Sequence, residues 1–158
     1  MSLSIAATNM PTNSYPASQG LDANKLKTLF FNSQATNSNQ LHFTDNSSSN
    51  LKSLTFQSKE ALDIKNPFSG AKVSEIDTNK AGDQSLLLEV TKNNQKYYVR
   101  LYGLEVDKKI KEGQTLSSEQ LIGKMGNFSR STDPEAKFLG IKVLNSNQEA
   151  INPSILFK

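Results

Sequence analysis

Residues 85–102 read SLLLEVTKNNQKYYVRLY, and this stretch decides the fold class. Its two halves place Leu, Val and Tyr in the alternating rhythm of strands, not the longer period of a helix. Between them stand Asn93 and Asn94. Asn tolerates positive φ, so a two-residue Asn-Asn link between such runs predicts a β-hairpin. Alternation also sorts the second strand. Tyr97, Val99 and Leu101 take one face, and Tyr98, Arg100 and Tyr102 the other.

The same pattern extends in both directions. Upstream, SLTFQ (53–57), LDI (62–64) and AKVSEI (71–76) are short candidate strands, and NPFSG (66–70) punctuates them with Pro67 and Gly70. Downstream, VDKKIKEGQTL (106–116) sets Val106, Ile110 and Leu116 around a Gly113 turn, and LIGKMGN (121–127) puts Gly123 and Gly126 beside a short apolar strand. The closing KFLGIKVLNSNQEAINPSILFK (137–158) supplies a last long strand, a polar turn at 145–148 and an exit at Asn152-Pro153. Many short strands with frequent turns predict a mainly β fold, an antiparallel β-sandwich or open barrel.

Residues 1–50 differ. They hold 25 Ser, Thr, Asn or Gln and four charged side chains, too little apolar surface to offset the entropy of ordering. The expectation is a flexible segment at 1–50 followed by a β domain at 51–158. One short helix, at about 23–32, interrupts it. Asp22 is placed as N-cap, Leu21 and Leu26 have staple spacing, and Leu26, Leu29 and Phe30 share a face.

Composition excludes several chemistries. The chain has 158 residues, no Cys and one His, His42. Disulfides, thiolate metal sites, Cys nucleophiles and sites needing two imidazoles are therefore out. The net charge of +3 comes from 18 basic and 15 acidic side chains, interleaved, which gives no footprint for nucleic acid. No apolar run is long enough to span a membrane. The opening MSLSIAATNMPTNSYPASQG lacks the basic and apolar regions of a signal peptide. The expectation is cytoplasmic synthesis without a leader, with any exported position reached inside an assembly.

Four pieces in order, IKNPFSGAKVSEI, YYVRLYGL, V…KIKEGQTL…QLIGKMGN and FLGIKV…N…INPSILF, resemble the LytM-like domain of the M23 metallopeptidase family across 51–158. The resemblance implies a β-sheet groove with a zinc ion on its floor. It implies ligands from a His and an Asp near the first strands and from the second His of a closing H-x-H, with a further His assisting. Carried onto this chain, the first two positions fall near Leu51 and Thr55, the Y-x-H-L histidine on Gly103, and the closing triplet on Phe138-Leu139-Gly140. None of these can ligate zinc. The Gly of the family's G-Q-x-I-G stretch is Glu119 here, while Gln120 and Gly123 remain.

The expectation is a retained scaffold without catalysis, metal or cofactor. Such a pseudo-peptidase would be a structural or binding component of a larger protein assembly, such as a phage virion or contractile injection apparatus, or its cargo. A peptidoglycan-binding or hydrolase-regulating domain is the alternative. A third reading is an active zinc endopeptidase using His42 and Asp45 from His42-Phe43-Thr44-Asp45. A biotinyl- or lipoyl-type carrier fits poorly, because Met125 follows Lys124 instead of preceding it.

Tyr97, Tyr98, Tyr102 and Arg100 either line a ligand groove or pack across strands. Phe138 either plugs the former groove or joins the core. Lys residues in DKKIKE (107–112) blunt an edge. GNFSRSTDPE (126–135) is a polar loop that the resemblance sets beside the cleft. Arg100, Tyr102, Phe138 and Arg130 are the candidate groove and rim residues.

Overall fold

The computed structural model describes residues 21–32 and 40–157. Most of the polar N-terminal segment, 1–20 and 33–39, lies outside the described residues. Helix α1 spans Ala23–Phe30. The Asp22 carboxylate accepts from the Asn24 N–H at 2.9 Å and caps it, and Leu26 and Phe30 bury its inner face. Phe31 leaves the helix in an extended conformation and packs edge-on against Phe56 at 5.2 Å.

Among the described residues nine strands follow: β1 His42–Asn46, β2 Ser53–Ser58, β3 Asp63–Lys65, β4 Lys72–Thr78, β5 Gln84–Lys92, β6 Gln95–Val106, β7 Leu121–Met125, β8 Lys137–Leu144 and β9 Ala150–Ile151. A short helix α2, Ser154–Phe157, closes the chain. All strand pairings are antiparallel, and the main order is β1-β2-β8-β6-β5-β4. A branch of β7 and β3 leaves β6, and β9 pairs with β8. The fold is a mainly β, antiparallel open sheet with a short N-terminal helix, as the alternating pattern implies.

The β5–β6 hairpin turns on Asn93 (φ 52°) and Asn94 (φ 64°), the left-handed pair of a type I′ turn. Tyr97, Val99 and Leu101 point into the core, and Tyr98, Arg100 and Tyr102 lie half-buried on the other face. The sheet starts earlier than composition suggests. β1 is mostly polar, yet it pairs residue for residue with β2; backbone pairing needs no apolar side chains where a face is open.

One face of the sheet builds the core from Leu54, Phe56, Leu86, Leu88, Val99, Leu101, Leu139, Ile141 and Val143. Helix α1 and Phe157 cover it, with Phe30 5.7 Å from Phe157. Asn66 is fully buried. Its amide donates to the carbonyls of Phe68 (2.7 Å) and Ser117 (3.0 Å), and its side-chain oxygen accepts from the Phe68 N–H (3.0 Å). One side chain thus ties the β3–β4 and β6–β7 connections together.

Gly103 divides β6. Residues Tyr98–Tyr102 pair with β8, and Leu104–Val106 with β7. Opposite β5 the register slips at this point, a β-bulge, and Gly103 has φ 77°, the geometry of a bulge glycine.

Candidate functional site

The face opposite the core carries the candidate site. Antiparallel partners share a face, so register places side chains in rows. Thr44, Thr55, Gly140, Tyr102 and Ser85 form one row across β1, β2, β8, β6 and β5. Asn46, Ser53, Lys142 and Arg100 form the next on one side, and His42, Gln57 and Phe138 the next on the other.

Tyr102 lies flat on Gly140, its direct cross-strand partner. A Cβ at Gly140 would sit 2.1 Å from Tyr102 Cζ. An aromatic ring covering a bare cross-strand glycine is a known sheet device. Phe138 stacks on Phe128 with centroids 4.5 Å apart, and Tyr102 stands 5.6 Å from Phe128 and 5.7 Å from Phe138. Beneath them a Cβ at Gly103 would lie 2.5 Å from Phe138 Cδ1. Phe138 is buried, but on the far side of the sheet from the core.

The 126–136 loop reaches this cluster because a turn holds it. Asn79 organises the β4–β5 turn, accepting through Oδ1 from Ala81 N–H (3.0 Å) and Asp83 N–H (2.9 Å). Asp83 then accepts from the Ser129 N–H at 2.9 Å and from the Ser129 hydroxyl. Burial pushes the Asp83 pKa up, but the Ser129 and Asn79 hydrogen bonds and the charge of Arg130 outweigh it, leaving the net value lowered. Phe128 and Arg130, either side of Ser129, are thereby placed over the sheet.

The result is a cleft of about 340 Å³ lined by Asn79, Arg100, Tyr102, Phe128, Arg130 and Lys142. Arg100 donates to Ser85 Oγ at 3.4 Å, and Lys142 Nζ stands 5.9 Å from the Tyr102 ring centroid. Burial raises the Tyr102 pKa, with a Ser53 hydrogen bond acting against it.

Arg100, Tyr102 and Arg130 therefore meet in one cleft, with Phe138 packed behind Tyr102. Lys142 and Phe128 complete it and went unrecognised. Lys142 was legible by alternation from Gly140, whereas Phe128 sits in a polar loop whose path depends on Asp83. Among the five positions carried over by resemblance, Thr55 faces Gly140 across β2–β8, while Phe138 and Gly103 touch the same aromatic cluster. Leu51 stands apart, 59% exposed in the β1–β2 turn.

No protein-family model matches this chain. No curated protein matches it. Among solved structures, LytU, a LytM-family peptidase, is similar to it, with a TM-score of 0.53 and 20% identity over 73% of this chain and 79% of that one.

The fold is LytM-like.

The family resemblance implies zinc at the positions carried over from it. Thr55, Gly140, Gly103 and Phe138 offer no imidazole or carboxylate, and a side chain at 140 would need the space of the Tyr102 ring. His42 is exposed on the groove face beyond Gln57. Asp45 pairs with Leu54, a core residue, so it points to the opposite face from His42. Among the described residues no three His, Cys, Asp or Glu side chains gather to hold a metal, and no helix is long and apolar enough to cross a membrane.

Proposed function

We propose that this chain is a LytM-like module that binds without cleaving. One observation carries the reading: the Tyr102 ring occupies the space above Gly140, where the family sets a ligand histidine. A cleft there is lined with aromatic and cationic groups, suited to holding a ligand, and its lining offers no imidazole or carboxylate. The module would act as a binding or structural component, with peptidoglycan or a protein of a larger assembly as its partner.

Purified protein incubated with peptidoglycan and zinc is expected to release no soluble fragments and to co-sediment with the insoluble wall or with a multi-subunit particle. Fragment release that disappears on His42→Ala would overturn the reading in favour of an atypical zinc endopeptidase.

A further inference from the structure

Arg100 and Lys142 are direct cross-strand partners on the groove face. Like charges set opposite one another destabilise a sheet, so the pair calls for a compensating anion. The ion pairs among the described residues are Lys65–Glu119, Lys96–Glu89 and Lys124–Glu105; none relieves Arg100 or Lys142. Arg130 enters the same cleft from the loop above.

The acidic groups around these cations are few. Glu89 is on the same face, opposite Tyr98 and two residues along β5 from Leu87, the partner of Arg100, and it pairs with Lys96 at 3.8 Å. Asp83 lies near enough to Arg130 to feel its charge, but both its oxygens are engaged by Ser129 and Asn79. Glu75 and Asp77 face the same way from β4, opposite Leu87 and Ser85. They stand two strand spacings from Arg100 and Tyr102, about 10 Å, and are exposed.

The contrast with a larger cleft of about 590 Å³ beside β3, β6 and β7 is instructive. There Asp63, Glu105 and Asp107 balance Lys108, Lys109 and Lys124, and Lys124 pairs with Glu105 at 3.9 Å. Its charge is matched within its own lining, whereas no carboxylate lines the Tyr102 cleft.

We infer that the Tyr102 cleft is an oxyanion site, taking a carboxylate or phosphate group of the module's ligand on Arg100, Arg130 and Lys142. Guanidinium forks bind both anions through paired hydrogen bonds, and Lys142 adds a point charge. Tyr102 and Phe128 supply apolar walls for whatever carries the anion. The inference rests on the binding reading above.

The test is an NMR titration of the full chain, following the backbone amides of residues 98–102, 128–131 and 140–143 and the arginine side-chain N–H signals. The probes are N-acetyl-alanyl-alanine, the same dipeptide with an amidated C-terminus, and inorganic phosphate. The free acid and phosphate are expected to shift the cleft signals while the amide does not, with binding weakened by added salt. The tighter of the two anions names the source of the group. Arg100→Gln with Lys142→Gln should weaken binding at least about tenfold, and Arg130→Gln, in a loop, provides a second variant with little risk to folding. Lys124→Gln, outside the cleft, should change nothing.

Absence of shifts with both anions, or equal affinity in the variants, would overturn the inference. Neither result bears on wall hydrolysis, so the oxyanion site can fail while the non-catalytic reading stands, and fragment release would sink that reading whatever the titration shows.

Discussion

Gly140→Ala measures how firmly Tyr102 is seated. The new Cβ would lie 2.1 Å from Cζ and 2.3 Å from Cε2 of that ring, so the ring must move. It is held by Phe128, Phe138 and the Ser53 hydrogen bond. Overpacking of this kind costs about 1–3 kcal/mol, and disturbing an aromatic pair adds about 0.5–1.5 kcal/mol. Replacing a strand glycine returns about 0.5–1 kcal/mol through the backbone. The net loss is about 2 kcal/mol, or a fall in melting temperature of about 4–8 °C for a chain of this size.

Urea denaturation followed by circular dichroism gives the free energy directly. The decisive comparison repeats the substitution in a Tyr102→Ala background, where the obstruction is gone. The cost of Gly140→Ala should then vanish, a coupling of about 2 kcal/mol between the two positions. An equal loss in both backgrounds, or a wild-type melting temperature for the single variant, would refute the seating of the ring.

Three further outcomes are expected. Asn66→Ala strands the Ser117 and Phe68 groups and should cost about 3 kcal/mol in urea denaturation; a loss below about 1 kcal/mol would count against its bridging role. Asn93→Val forces a β-branched residue to φ 52° and should cost about 1–2 kcal/mol, whereas Asn94→Gly should be neutral or stabilising by thermal melting. The Asp83 pKa is lowered from 3.8, so its clamp on Ser129 is present above that value and lost as pH falls through the folded pKa. The Ser129 amide signal should therefore titrate at a pH below 3.8, and Asp83→Asn should abolish that transition.

Much of the fold is written in local pattern. The Asn93-Asn94 turn and the alternation of Tyr97 through Tyr102 dictate a hairpin and assign its faces without tertiary information. Asp22 and Leu26 fix the helix in the same way. β1 was hidden because its reason to exist is the open edge of β2, which a polar composition does not advertise. The site was half legible. Arg100 and Tyr102 follow from alternation, and the family resemblance put Arg130 beside the cleft. Lys142 follows from the same alternation on β8, but its role depends on the Arg100 register, which pairs residues distant in sequence. Gly140 looked like a lost ligand position; only the ring resting on it shows that the glycine is also demanded by packing.

The bulge at Gly103 also bears on the order of assembly. The β5–β6 hairpin closes over two residues and can form on the microsecond scale of isolated hairpins. Strands β2 and β8 must wait, since their pairing joins Thr55 to Gly140 across most of the chain, and such non-local contacts slow folding. β6 then serves two further partners, β8 on one half and β7 on the other. Gly103, with its left-handed φ, is where the strand passes from one partner to the other, so a β-branched residue there should weaken both pairings at once.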